Sequence, residues 1–249
     1  MAVHEQWVMG IHAVKELLHQ YPDQIKKIMV QKGRSDARLN ALMTLAESSG
    51  INVTAVERKI LDQQVGSAHQ GVAAQCSLQD NGHDEKFLWS LLDSLDHDPL
   101  ILVLDEITDP HNLGACLRTA DAAGVDAVII TKNRSAPLNM TVRKVASGAA
   151  ETVTLVTVIN LSRTIKALQG KGIWVVGTAD EAAKSIHSQD LTGPLALVMG
   201  SEGRGMRRLT REDCDFLVSI PMVGSLSSLN VSVATGVCLF EALRQRVKL

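Results

Sequence analysis

From Pro99 onward the chain carries near-continuous apolar runs at residues 100–104, 127–130, 152–158, 173–176, 195–199 and 217–220. A strand with one wet face alternates apolar and polar residues. These runs do not alternate, so both faces of each strand must be covered, which is the signature of a parallel sheet with helices on its two sides. The intervening segments supply those helices. Residues 113–123 read as a helix stopped by Gly124, and residues 161–169 as another, stopped by Gly170 and capped by Asn160. A last helix is expected from near Ser228 to about Arg246.

The first part of the chain alternates on a smaller scale. A helical run at 12–19 precedes a strand-like run at 25–30, and Leu39, Leu42, Met43 and Ala46 follow at i, i+3, i+4 and i+7 of a helix that Gly50 ends in a left-handed conformation. Strands are expected at 51–56 and 71–75. Between Asp80 and Asp98 the chain turns acidic, with Asp84, Glu85, Asp93 and Asp96 between those two and Lys86 alone against them. The predicted organisation is a small α/β domain at 1–78, a linker at 79–98 and a parallel-sheet α/β domain at 99–249. Within the linker, Phe87, Leu88, Leu91, Leu92 and Leu95 make a short amphipathic helix packed on the second domain.

Composition narrows the function. The 249 residues are 45% hydrophobic and 21% charged, as in a folded domain with a sizeable core. No run of about 18 uncharged apolar residues and no signal-like apolar core appear, so a cytoplasmic location without a membrane is expected. Cys76, Cys116, Cys214 and Cys238 are scattered and read as buried small apolar residues; with the dispersed histidines they give no metal-ligand pattern, so no metal is expected. The net charge is −2 and aromatic residues make up 3%, so nucleic acid would have to be held by local basic patches and not by a stacking platform.

Ligands of open α/β sheets bind beyond the carboxyl ends of strands, and three segments there are unusual. In the first, 105–114, Asn112 sits where a helix cap belongs. Helical side chains lean toward the N-terminus, so Arg118 is expected to reach back over the small Gly114 and Ala115 to the loop, a phosphate-friendly arrangement; the alternative is an ion pair with Asp121. In the second, Met199-Gly200-Ser201-Glu202-Gly203-Arg204-Gly205, glycines permit close backbone approach beside the Glu202 carboxylate. It matches neither G-x-G-x-x-G nor the P-loop, which makes a nicotinamide-dependent oxidoreductase a poor reading. In the third, 220–230, Ser227, Ser228 and Asn230 lie among Ile220, Met222 and Leu229, a mixture suited to an adenosine, with simple capping by Ser228 as the alternative.

In this order the three segments resemble the SpoU (TrmH-like) branch of the SPOUT RNA methyltransferases, over about residues 100–249. Gly10-Ile11-His12-Ala13-Val14 and His69-Gln70-Gly71-Val72 are similar to a substrate-binding domain found in part of that family. The resemblance implies a C-terminal trefoil knot, a homodimer whose sites borrow from both subunits, and S-adenosylmethionine as methyl donor to the ribose 2'-hydroxyl of a guanosine in bacterial 23S ribosomal RNA of the large subunit. It implies cofactor contacts at Gly200, Ile220, Leu229, Met222 and Thr178, and catalytic or architectural roles for Asn112, Arg118, Glu202, Ser228 and Asn230. Guanidinium stays protonated in proteins, so Arg118 is expected to clamp the hydroxyl and adjacent phosphate electrostatically and not to act as a base. RNA contacts are expected at Lys26, Lys27, Lys32, Arg34 and Arg38 and at Arg204, Arg207, Arg208 and Arg211, where pairing of Arg207 or Arg208 with Glu212 or Asp213 is the alternative. The rival functions are a tRNA 2'-O-methyltransferase of the same family and an RNA-binding protein without catalysis.

Overall fold

A computed structural model describes residues 3–34, 36–67, 69–79 and 82–247, and the chain divides into Met1–Asp80 and Asn81–Leu249. The first unit runs β1 (Val3–Met9), α1 (Ile11–Gln20), β2 (Ile25–Gln31), α2 (Ala37–Ser48), β3 (Val53–Val56), α3 (Arg58–Val65) and β4 (Val72–Gln79). Its sheet has the order β1-β4-β2-β3, with β2 and β3 parallel and the other pairs antiparallel. Leu39, Leu42 and Ala46 are the buried face of α2, Asp36 caps that helix through the N–H groups of Arg38 and Leu39, and Gly50 is left-handed as its position required. Edge strand β1 and helix α3 carry too few apolar residues in period to be read from sequence.

The second unit begins with α4 (Glu85–Ser94), followed by β5 (Leu100–Asp105), α5 (Pro110–Ala122), β6 (Ala127–Thr131), α6 (Met140–Ala146), α7 (Ala149–Thr152), β7 (Leu155–Val158), α8 (Leu161–Gly170), β8 (Trp174–Thr178), β9 (Leu195–Gly200), α9 (Arg208–Glu212), β10 (Phe216–Val218) and α10 (Val231–Arg246). The segment from Asn81, expected as a linker, is divided off with this unit because Leu88 of α4 is fully buried in its core. The sheet is parallel in the order β10-β8-β9-β5-β6-β7. Alternate residues of each strand enter different clusters: Leu102 and Leu104 face α5 and α10, whereas Ile101 and Val103 face α4 and α8. Each such fully buried side chain contributes roughly 1.5–3 kcal/mol, which is why the strands read as unbroken apolar runs.

Several expected boundaries move. Residues 149–152 form α7, so β7 starts only at Leu155, and β10 ends at Val218, leaving Ile220 beyond it. Helix α8 runs through Gly170, and the left-handed residue is Gly172. Asn160 does cap α8, accepting from Arg163 N. Asn112 is not a cap: Asp109 accepts from His111 N and Pro110 takes the first turn. Nor does Ser228 cap the last helix, because Asn230 accepts from Ser232 N and the helix starts at Val231. Cys76, Cys116 and Cys238 are buried and Cys214 is half-buried, and burial raises their thiol pKa values to about 12, 11, 12 and 12. Among the described residues no helix is long and apolar enough to cross a membrane.

Candidate active site

The order of the sheet decides where a ligand can go. From β5 the chain moves outward to β6 and β7, then returns to the other side, so β9 lies beside β5. That is the switch point at which loops diverge and leave a crevice. Two cavities open there, at the carboxyl ends of the strands. One, of about 450 Å³, is lined by Glu106, Ile107, Thr108, Asp109 and Asn112 after β5, Ser201, Glu202 and Arg204 after β9, and Val231 of α10. The other, of about 50 Å³, is lined by Thr178, Ala179 and Asp180 after β8, and by Val218, Ile220, Met222, Ser227, Ser228, Leu229 and Ala234. The first turn of α10 lines both, through Val231 and Ala234.

The loop after β9 is a tight turn closed by Gly205 N to Ser201 O at 2.8 Å and Ser201 N to Gly205 O at 3.1 Å. A Cβ on Gly200 would lie 2.2 Å from main-chain atoms of Gly205 and Met206, so glycine is obligatory there. The turn projects Glu202 toward Asn230, whose Nδ2 donates both to the Glu202 carboxylate and, at 2.9 Å, to Asn112 Oδ1. Asn230 Oδ1 accepts from the backbone and hydroxyl of Ser232 at 2.9 and 2.6 Å. Both ends of its amide are thereby used: Asn230 pins the start of α10 to the loops after β5 and β9. Asn112 is 8% exposed and lines the larger cavity, and its amide nitrogen has no hydrogen-bond partner among the described residues.

Thus the structure brings Asn112, Glu202 and Asn230 into one cluster, and Thr178, Ile220, Met222, Ser228 and Leu229 into the adjoining cleft. Gly200 lines neither cavity; its place is set by the turn it permits. Arg118 stands apart. Helix α6 lies directly on α5, with Val142 O and Val145 Cβ 2.7 Å from where a Gly114 Cβ would be, so the expected path for Arg118 back over Gly114 is closed. Arg118 is exposed and donates to Ser147 Oγ at 3.5 Å. Its alternative partner, Asp121, is bonded instead to Thr152 Oγ1 at 2.6 Å.

The basic clusters are partly neutralised within the chain. Arg207 binds the fully buried Asp105 through its backbone N–H at 2.9 Å and its Nε at 2.7 Å, and reaches Glu106 at 3.4 Å. Arg208 pairs with Glu212 at 2.7 Å, Arg211 pairs with Glu181, and Arg204 lines the larger cavity. In the first unit Arg34 is held by Asp36 at 2.9 Å and Gln70 O at 2.7 Å, and Lys32 faces Glu57 at 3.7 Å. Sequence reasoning missed Asp109 and Asp180. Asp109-Pro110 carries the signal of a helix start, aspartate at the cap and proline in the first turn, whereas nothing in the sequence around Asp180 marks it.

Residues 99–240 match the SpoU rRNA Methylase family, and residues 7–81 match the RNA 2'-O ribose methyltransferase substrate binding family. The 23S rRNA (guanosine-2'-O-)-methyltransferase RlmB of Pseudomonas putida is 58% identical over 96% of this chain and 96% of its own length. The protein of the same name from Escherichia coli K12 is 54% identical over 97% of this chain and 99% of its own. Among solved structures, the SpoU methyltransferase AviRb from Streptomyces viridochromogenes in complex with the cofactor AdoMet is similar with a TM-score of 0.66 and 25% identity, covering 98% of this chain and 91% of that one.

Proposed function

The chain belongs to the SpoU rRNA methylase family, and from that premise we propose that it transfers a methyl group from S-adenosylmethionine to the ribose 2'-hydroxyl of a guanosine in 23S ribosomal RNA. The observation that carries the reading is the position of Asn230, bonded at once to Asn112 and Glu202 and two residues from the cleft residue Ser228. It joins the loop cluster of the larger cavity to the cleft suited to a nucleoside.

The lining of the smaller cleft fits the cofactor chemically. Val218, Ile220, Met222, Leu229 and Ala234 offer apolar contact for a purine, and Thr178, Asp180, Ser227 and Ser228 offer polar groups for its ribose. The cleft is narrow, and its wall at 221–227 is exposed. S-adenosylmethionine supplies an electrophilic methyl group on a sulfonium. What the chain must add is alignment and stabilisation of charge, which together can account for much of the rate. Asn112 brings an amide donor to the cavity lining, Asn230 fixes its orientation, and Glu202 holds Asn230 from the other side while adding a carboxylate to the cavity.

The guanidinium of Arg118 lies outside this cluster in its own subunit, so its clamp serves the site of a second copy in a homodimer. Exposed Val233 and Phe240, two turns apart on α10, support such a pairing surface. Insertion of β9 between β8 and the earlier strand β5, followed by packing of α10 on α5, supports a knotted C-terminus. The first unit delivers the RNA, and the work is done in the cytoplasm. The test maps ribose 2'-O-methyl groups on large-subunit RNA methylated by the purified protein with S-adenosylmethionine, with and without a chelator. One methylated guanosine is expected in both arms. Methylation of transfer RNA alone, or none, would overturn the reading.

A further inference from the structure

The larger cavity holds more than the 2'-hydroxyl requires. Asn112, more than nine-tenths buried, leaves its amide nitrogen unpartnered there, which marks the space as one that takes a ligand with an acceptor. Three carboxylates share the lining, and they are not equivalent. Glu202 is taken by Asn230, and Glu106 faces Arg207 at 3.4 Å and Arg134 at 3.5 Å. Asp109 pairs with no lysine or arginine among the described residues. Its demands are local: His111 N at 3.0 Å and His111 Nδ1 at 3.3 Å, both on Oδ1, and the backbone N–H of Asn112.

We propose that this cavity is the nucleobase pocket for the target nucleotide and that Asp109 is its specificity-determining residue, accepting from N1–H and the 2-amino group of guanine. The inference rests on the methyltransferase reading above. Guanine alone among the four bases presents two adjacent N–H donors on its pairing edge, and a carboxylate is the side chain with two acceptor oxygens and no donor. Asp109 is ionised at neutral pH, since the His111 N–H on its carboxylate holds its pKa below the ordinary value. Asn112 lies one turn further along the same face of α5 and offers a donor, so the pair presents one donor and one double acceptor to a base whose edge has one acceptor, O6, and two donors. Adenine and cytosine would set a ring acceptor against the carboxylate, which a site built for donors rejects.

The test uses the full chain and two RNA fragments that differ only at the target position, guanosine in one and inosine, which lacks the 2-amino group, in the other. Losing one charge-assisted hydrogen bond should slow methylation of the inosine RNA by about ten- to hundredfold in the natural protein. Asp109→Asn keeps the helix cap, for which asparagine and aspartate serve equally, but turns a donor toward the base. The expected result is a guanosine-to-inosine ratio within about threefold, with S-adenosylmethionine affinity unchanged by calorimetry; a cap-only role would leave the ratio intact. Retention of the natural ratio by Asp109→Asn, or no discrimination by the natural protein, overturns the proposal. If neither RNA is methylated by the natural protein, the functional reading fails instead, and the ratio of Kd values for the two RNAs, natural against Asp109→Asn, decides the base pocket separately.

Discussion

Around Arg207 the chain surrounds a guanidinium with acceptors: Asp105 takes its Nε and backbone N–H, and Glu106 stands 3.4 Å from its other end. Around Arg118 it offers, among the described residues, only the Ser147 hydroxyl, at 3.5 Å, the outer limit of a hydrogen bond. Both arginines were marked by sequence as RNA-facing, and the difference separates them. Asp105 is 0% exposed, so Arg207 neutralises a buried carboxylate and ties the loop after β9 to the end of β5. Arg118 has no acidic partner among the described residues, which leaves its charge uncommitted. A guanidinium already held by a buried acid is committed to structure, and one that the fold leaves weakly bound is available to phosphate and ribose.

The sharpest way to break this contrast is Arg118→Ala. If Arg118 stabilises charge in the transition state, its loss should cost about 3–4 kcal/mol, a hundredfold or more in single-turnover methylation at saturating RNA. Cofactor affinity and melting temperature should hardly move, because the cleft is lined by the loops after β8 and β10. Arg118→Lys retains charge without the planar fork and should rescue only slightly. Asp121→Ala should leave turnover intact, since Asp121 bonds Thr152 and not Arg118. Near-native turnover in Arg118→Ala would remove Arg118 from the site.

Arg207→Ala should do the reverse and act first on stability. Stripping one partner from a buried ion pair costs about 3–5 kcal/mol, and the lower end applies because Arg207 is itself 42% exposed and its backbone N–H continues to bind Asp105. About 3 kcal/mol should appear as a shift of the urea midpoint. Stability within 0.5 kcal/mol of the natural protein would show that the pair is dispensable and that the contrast with Arg118 is false.

How far sequence reached follows from the physics of each element. The strands of the second sheet are buried on both faces, and burial alone writes an unbroken apolar run, so β5, β6, β8 and β9 were legible to within a few residues. Edge strand β1 and the short helices α6, α7 and α9 bury too little in period to be read. Within the site, Asn230, Asn112 and Glu202 carry the motif resemblance, but the hydrogen bonds from Asn230 to Asn112 and Glu202 join residues 118 and 28 apart in the chain, distances that periodicity does not span. The path of Arg118 is hidden for the same reason: α6 rests on Gly114, across the way back to the loop, a tertiary contact invisible to a helical wheel.

Arg208 tests the contrast at its weakest point, since it is paired, but only on the surface. Its partner Glu212 is four residues on along α9, and their side chains are 75% and 53% exposed. Such a pair contributes about 0.3–0.5 kcal/mol, less than a phosphate contact returns, so Arg208 can leave Glu212 when RNA arrives, as Arg207 cannot leave Asp105. Arg208→Ala should therefore change stability by no more than about 0.5 kcal/mol. Binding of an rRNA fragment should weaken, and the slope of log affinity against log salt should fall by about 0.7–0.9, the value for one phosphate contact. Glu212→Ala, which frees the same arginine without removing it, should leave that slope unchanged and strengthen binding slightly at low salt. An unaltered slope in Arg208→Ala would place this arginine with Arg207 on the structural side, and the line between committed and available charge would then have to be drawn at Arg118 and Arg204 alone.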